Sequence, residues 1–208
     1  MVESKVASEV LPAGEIGSRV AELGEAITRD YEGRDPLFLV VLVGSVPFGA
    51  DLVRSVAMNS EVDFLGLNRF GEGGRIGVTL DTSTPLFDRN VIIVEDIIDT
   101  GLTLTTLRKM VMDRGAASVS TAALLDKTRR RLTDVPIEYR GFEVGDEYLV
   151  GYGLDWHGLY RNLRSIWVVL DMEAMVADPK ALSIELGHAR PTPESRVGHQ
   201  PCGVSPTR

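Results

Sequence analysis

A chain of 208 residues, 44% hydrophobic and 25% charged, has the composition of a globular protein with room for one full domain and at most a small accessory lobe. The formal net charge of -8 argues against nucleic acid as the main partner, because proteins bind it largely through Lys and Arg. The sequence contains a single cysteine, Cys202, which excludes an internal disulfide and a four-cysteine zinc site.

Neither a targeting segment nor a membrane span is predicted. The first ten residues, "MVESKVASEV", lack the basic start and apolar run of a secretory signal. The most apolar stretch, "LFLVVLVGSVPFGADLV", is interrupted by Gly, Ser and Pro well before the ~18 residues that a membrane helix needs. We therefore expect a protein of the reducing cytoplasm with no membrane partner.

The first half of the chain alternates between helical and strand patterns. Residues 13–33 repeat apolar side chains every three or four positions, which predicts an amphipathic helix. The apolar run at 37–43 predicts a buried strand, and helical spacing returns at 48–59. A second strand is predicted at 62–70, and the Gly-rich, β-branched segment at 68–90 predicts a mobile loop or hairpin.

The second half continues the alternation. It predicts strands at 90–96 and 118–127 with a helix at 103–116 between them, a further strand at 147–154 and a possible last one at 165–171. Alternating strands and helices indicate an α/β fold with a mainly parallel sheet, whose ligands lie beyond the carboxyl ends of the strands. We expect one domain over 1–186 and a disordered tail, rich in Pro, Gly, Ser and Arg, at 187–208.

The segment "VIIVEDIIDTGLTL" has the features of a site for a phosphorylated sugar. A strand is followed by a turn in which Gly101 can adopt positive φ, and a helix then begins. Backbone amides at that helix start, with the hydroxyls of Thr100 and Thr103, can bind a phosphate monoester. Glu95 and Asp96 would repel the phosphate, so they are better suited to a sugar diol or to Mg²⁺.

Asp99 lies one turn further along, where it could accept a proton or stabilise positive charge on the sugar. An alternative is that Asp99 and Thr100 only cap a helix and that the acids end a solvated strand. Other phosphate motifs fit worse, since the sequence has no G-x-x-x-x-G-K-[ST], no G-x-G-x-x-G after a strand and no G-x-S-x-G.

This segment resembles the phosphoribosyl-pyrophosphate (PRPP) motif of the type I phosphoribosyltransferases, in particular their hypoxanthine-guanine branch. Further segments resemble that branch in order and spacing over roughly residues 10–172: "RVAELGEAITRDYEGRDPL", "LVGSVPFGADLVR", "EVDFLGL", "LLDK" and "GFEVGDEYLVGYGLDWHGLYRNL". The resemblance implies the type I phosphoribosyltransferase fold, in which helices flank the sheet and terminal segments form a small hood. It also implies a purine salvage enzyme that uses PRPP, Mg²⁺ and a 6-oxopurine, and a homo-oligomer, either dimer or tetramer.

The resemblance assigns a role to each matching residue. Glu95 and Asp96 would contact the ribose hydroxyls and the metal, and Asp99 would be the general acid/base near purine N7. The 5-phosphate would be surrounded by Asp99, Thr100, Gly101, Leu102 and Thr103. Pyrophosphate would be bound by Gly44, Ser45 and Arg161, and the purine by Lys127, Tyr148, Leu149 and Asp155, with Asp155 also near the metal.

Three positions depart from the branch. Val43 stands where a lysine is usual in the pyrophosphate loop, Arg69-Phe70 where the mobile loop has Ser-Tyr, and Gly145 where a proline is usual. Two hypotheses follow: an active hypoxanthine or guanine phosphoribosyltransferase, and a PRPP- or nucleotide-sensing protein that has kept the fold and lost most turnover. Hypoxanthine, guanine and xanthine remain alternative bases.

Overall fold

The computed structural model describes residues 5–70 and 75–186, with the side chains of residues 69, 70 and 75 outside the description. The tail predicted at 187–208, which includes Cys202, lies outside the described residues, as do residues 71–74 of the predicted 68–90 loop. The mobility of that loop stays a prediction.

A mainly parallel sheet forms the centre of the described structure. Its strands are β2 (Leu37–Leu42), β3 (Glu61–Phe70), β4 (Arg75–Leu80), β5 (Asn90–Ile98), β6 (Ser118–Asp126) and β7 (Tyr139–Glu143). They run in the order β4-β3-β2-β5-β6-β7, and each neighbouring pair is parallel except β3 and β4, which form an antiparallel hairpin. A hairpin was one of the two forms expected for residues 68–90, but its first strand begins before that segment. The strand β7 was not predicted; only Tyr139 in it is buried, so its apolar signal is weak.

Helices cover both faces of this sheet. Successive side chains of a strand point to opposite faces, so Phe38 and Val40 pack in one core while Leu37 and Leu39 pack in the other. The first core includes the buried sides of α1 (Ala13–Asp30) and α2 (Val46–Ser55), and the second includes that of α3 (Leu102–Asp113). The predicted α/β architecture is confirmed.

The terminal segments form a small hood, as expected. Its elements are β1 (Ala7–Leu11), β8 (Leu149–Val150), β9 (Ile166–Val169), α4 (Met172–Ala177) and α5 (Ala181–Glu185). The three strands form an antiparallel sheet in the order β1-β9-β8, and the two short helices follow β9. The strand predicted at 147–154 is reduced to two residues, because Gly151 and Gly153 turn the chain at positive φ. Within the described ranges no helix is both long and apolar enough to cross a membrane.

Candidate active site

The turn between β5 and α3 requires glycine for two reasons. Gly101 has φ of 82°, a conformation that residues with a side chain rarely adopt, and α3 begins at the next residue. A Cβ at position 101 would also lie 2.5 Å from Oγ1 of Thr133. The turn therefore directs the first amides of α3, which have no partner inside the helix, toward the end of the sheet.

A cavity of about 460 Å³ opens at the carboxyl ends of β2, β3 and β5. It brings together most of the residues predicted for the ribose 5-phosphate, while the side chain of Leu102 is half exposed and does not line it. The hairpin contributes Leu67, Asn68 and Ile76, which sequence reasoning had not assigned to the site. The predicted residues in the lining are Glu95, Asp99, Thr100, Gly101 and Thr103.

The hydroxyl of Ser45 contacts the two acids at the end of β5. Its Oγ accepts a hydrogen bond from the backbone N–H of Asp96 at 3.0 Å and donates to Oε2 of Glu95 at 3.5 Å. Ser45 is buried, as is Glu95. Because this hydroxyl is used inside the protein, any contact of Ser45 with pyrophosphate is left to its backbone.

A second group of site residues is assembled from distant parts of the sequence. A Cβ at Gly44 would lie 1.7 Å from Oδ2 of Asp96, and a Cβ at Gly153 would lie 1.9 Å from the Gly44 carbonyl oxygen. Arg161 joins the group: its Nη1 donates to the Gly153 carbonyl at 2.5 Å, and its Nη2 lies 2.6 Å from Oδ1 of Asp155. The loop after β2, the acids of β5 and the irregular segment after β8 therefore meet at one place.

The carboxylates of this group suit a hard divalent cation. Burial raises the pKa of Asp96; the charge of Arg161 opposes this effect and that of Asp155 adds to it. A cation would favour the ionised form of a carboxylate that the protein alone solvates poorly. Mg²⁺ commonly uses one or two carboxylates together with substrate phosphates, and Asp96 and Asp155 both lie near Arg161 here.

Lys127 is buried directly after β6, beside the segment predicted to bind the base. Its Nζ donates to the carbonyl oxygens of Asp146 at 3.2 Å and Glu147 at 2.8 Å, and its backbone N–H donates to the Ile98 carbonyl at 2.9 Å. An ammonium has three donors, so a ligand can still accept one hydrogen bond from Nζ. Lys127 thus links the phosphate loop to the predicted purine side.

The ring of Tyr148 is partly exposed on that side. Its hydroxyl donates to the Asp155 carbonyl at 3.0 Å, and the ring meets Trp156 edge-on with centroids 5.0 Å apart. Burial raises the pKa of Tyr148, and the Asp155 carboxylate adds to the effect. The neighbouring side chain of Leu149 is buried, so its predicted contact with the purine edge falls to its backbone. The position of Tyr148 is suitable for stacking against a planar base.

Sequence reasoning missed two charged residues that follow Lys127. Nε of Arg130 lies 2.8 Å from Oδ1 of Asp99, and Nη1 of Arg131 lies 3.4 Å from Oδ1 of the buried Asp126. The available signal was the basic run "KTRRR", which most often indicates a solvated surface.

Comparison with known proteins agrees with this geometry. A family model described as the phosphoribosyl transferase domain matches residues 6–157. The hypoxanthine-guanine phosphoribosyltransferase of Streptococcus thermophilus is 38% identical over 173 residues, which cover 81% of this chain and 96% of that protein. The enzyme of the same name from Lactococcus lactis is 41% identical over 159 residues, covering 74% and 86%.

A solved structure gives the same result. The crystal structure of a hypoxanthine-guanine phosphoribosyltransferase from Bacillus anthracis superposes with a TM-score of 0.77 at 35% sequence identity, covering 80% of this chain and 100% of the other. Sequence, fold and the arrangement of the site therefore point to one family. The chain belongs to the phosphoribosyltransferases, within the hypoxanthine-guanine group.

Proposed function

We propose that this protein transfers the 5-phosphoribosyl group of PRPP to N9 of hypoxanthine, guanine or both, giving IMP or GMP and pyrophosphate. The observation that carries the proposal is the cavity at the carboxyl ends of the strands, where a phosphate-binding turn and ionisable carboxylates lie together. The relatives described above carry the name of this activity at 38–41% identity.

In the proposed complex the 5-phosphate lies at the start of α3. Backbone amides and the hydroxyls of Thr100 and Thr103 bind its oxygens, and the absence of a side chain at Gly101 lets the backbone approach closely. Glu95 and Asp96 accept hydrogen bonds from the ribose hydroxyls. The Ser45 hydroxyl orients the Glu95 carboxylate, and the backbone N–H of Ile97, which donates to Oδ1 of Asp96 at 2.8 Å, orients the Asp96 carboxylate.

Pyrophosphate lies between the backbone of Gly44 and Ser45 and the guanidinium of Arg161, a group suited to bidentate phosphate contacts. Asp96 and Asp155, with Glu95 nearby, would hold Mg²⁺, which when bound neutralises the charge that develops on leaving pyrophosphate. The guanidinium of Arg161 has five N–H donors, and its contacts with the Gly153 carbonyl and Asp155 leave others to bind the pyrophosphate.

The base lies against Tyr148, with its 6-oxo group toward Nζ of Lys127 and its edge along the Leu149 backbone. Adenine has an amino group at that position, which could not accept a hydrogen bond from the Lys127 ammonium. As the bond from C1′ to pyrophosphate breaks, N9 forms the new bond to C1′, and Asp99 accepts the proton released from N7. Nearby carboxylates stabilise the positive charge that develops on the sugar.

The protein is further proposed to act in the cytoplasm as a homo-oligomer, with neither nucleic acid nor membrane as a partner. An apolar groove of about 240 Å³ between α2 and the central sheet supports self-association, because exposed apolar surface of this kind favours contact with another protein. Phe64 and Val62 line it and are each about two-fifths exposed. Sedimentation of the purified protein tests this, and a monomer over the micromolar range would rule it out.

A spectrophotometric assay tests the activity itself. Purified protein is incubated with PRPP, Mg²⁺ and each of hypoxanthine, guanine, xanthine and adenine, beside the Asp99→Asn variant. Nucleotide formation with a 6-oxopurine, strongly reduced in the variant, supports the enzyme and identifies its base. Binding of PRPP or nucleotide without turnover supports the sensing alternative, which the exposed, uncharged Val43 in the pyrophosphate loop favours.

A further inference from the structure

We propose that Arg130 is a positioning residue for Asp99, acting on the reaction through that carboxylate and not through the phosphates. This inference rests on the proposed function. Nε of Arg130 lies 2.8 Å from Oδ1 of Asp99, and both side chains are a little under half exposed. The contact therefore lies at the rim of the cavity that Asp99 lines.

The ion pair gives the two carboxylate oxygens of Asp99 different surroundings. Oδ1 is enclosed and, among the described residues, makes no well-aligned hydrogen bond, so the approach of Arg130 is an ion pair and not a directed N–H···O bond. The Asp99 side chain as a whole is 44% exposed although Oδ1 is covered, so its exposed surface lies on its other atoms, which include Oδ2. Oδ2 is thus the oxygen left to receive a proton.

Arg130 is itself fixed relative to the phosphate loop. It ends a 3-10 turn, Thr128–Arg130, and its N–H donates to the Lys127 carbonyl at 2.9 Å. Backbone bonds tie this segment to the loop on both sides: Lys127 N–H to the Ile98 carbonyl and Leu132 N–H to the Thr100 carbonyl, each at 2.9 Å. The backbone that carries the guanidinium is therefore bonded on both sides to the loop that carries Asp99.

A fixed cation on one oxygen has a definite effect on the chemistry. It limits rotation of the carboxylate, so that Oδ2 faces the cavity before substrate arrives, and it offsets the repulsion from Glu95 in the same lining. Both effects act on the step in which Asp99 accepts a proton. Arg130 should therefore influence kcat much more than the KM for PRPP.

Arg129 supplies a matched control. It precedes Arg130, carries the same charge and is exposed, and within the described part of the chain it has no hydrogen bond or ion pair. Loss of kcat of about tenfold is expected for Arg130→Gln, with partial recovery in Arg130→Lys and change within about twofold for Arg129→Gln. Equal losses in Arg129→Gln and Arg130→Gln would show a general charge effect and overturn the proposal.

A double-mutant cycle decides whether Arg130 acts through Asp99. In the Asp99→Asn background, Arg130→Gln should cause little further loss, because residues that act as a unit are not additive. Additive losses, or a rise of about tenfold in the KM for PRPP at unchanged kcat, would assign Arg130 to the phosphates and overturn the positioning role. If the wild-type protein has no activity, the proposed function and this role of Arg130 are both overturned. If the wild-type protein is active and Arg130→Gln leaves kcat unchanged, only the role of Arg130 is overturned.

Discussion

The two sides of the candidate active site are built in different ways. The phosphate side is one continuous segment, in which β5 ends, Gly101 turns the chain and α3 begins. The pyrophosphate and base side brings together three separate segments, which contribute Gly44, Asp96, and Gly153 with Arg161, and these meet only after folding. Local geometry is enough to form the first side, whereas the second depends on close packing between separate segments.

The largest effect is expected on the continuous side, from Asp99→Asn. The amide keeps the size of the side chain but cannot accept the purine proton, so kcat should fall by about 10²–10⁴, the usual contribution of general acid/base catalysis. Steady-state assays with saturating PRPP and base measure this. A matched change at Asp134 should leave kcat nearly unchanged, since Asp134 is exposed and only neighbours Thr133, the residue that lies against the Gly101 turn. Retention of most activity in Asp99→Asn would remove that residue from the chemistry.

The assembled side should be sensitive to backbone packing, which Gly153→Ala tests. Positive φ of 101° and a Cβ 1.9 Å from the Gly44 carbonyl should together lower the free energy of unfolding by about 2–4 kcal/mol. Urea unfolding measures this. Gly158 also has positive φ, at 84°, but a Cβ there would meet nothing within 4 Å, so Gly158→Ala should cost only about 1–2 kcal/mol. Equal costs would mean that the contact between Gly153 and Gly44 does not restrict the site.

This contrast explains how much the sequence could predict. Strand, turn and helix at 90–113 follow from apolar periodicity and one glycine, so the fold class and the phosphate turn could be predicted from the residues themselves. The contacts of Gly44 with Asp96, and of Lys127 with the Glu147 carbonyl, depend on tertiary packing that no local pattern encodes. Roles there came from a family resemblance, and Arg130, within an ordinary basic run, was missed.

Lys127→Met should weaken binding of the purine base without weakening binding of PRPP, which would separate the base side of the site from the phosphate side. Methionine keeps much of the length and apolar stem of lysine but removes the donor to the 6-oxo group and to the Asp146 and Glu147 carbonyls. The KM for the 6-oxopurine should rise by about 10–100-fold, equivalent to a lost charge-assisted hydrogen bond, while the KM for PRPP changes little. Initial rates over a grid of both substrates measure the two constants. A matching rise in both would show that the phosphate side depends on the base side.

The smallest effect is expected away from the active site, at Asp63 on β3. The Asp63 carboxylate accepts hydrogen bonds from Ser83 and Thr84, in the segment that follows the hairpin. Burial alone would raise the pKa of Asp63, but hydrogen bonds from Thr84, Phe64 and Ser83 outweigh it, so the pKa lies below its ordinary value. The ionised form is therefore favoured by folding. Its contribution to stability is complete above the ordinary pKa of about 4 and is lost as pH falls through the lower folded-state value.

Asp63→Asn should therefore lower the free energy of unfolding by about 1–2 kcal/mol at pH 7. The difference from wild type should shrink at pH 3, because the carboxyl of the unfolded wild-type chain, with its ordinary pKa of about 4, is mostly protonated there, which favours unfolding. Urea titrations at the two pH values measure both quantities, with Asp35→Asn as the control, since Asp35 is exposed and has no bonded partner among the described residues. An equal difference at both pH values would show that the shape of the side chain, and not its charge, anchors this segment. In that case the segment beside the hairpin would be held by packing, as the assembled side of the active site is.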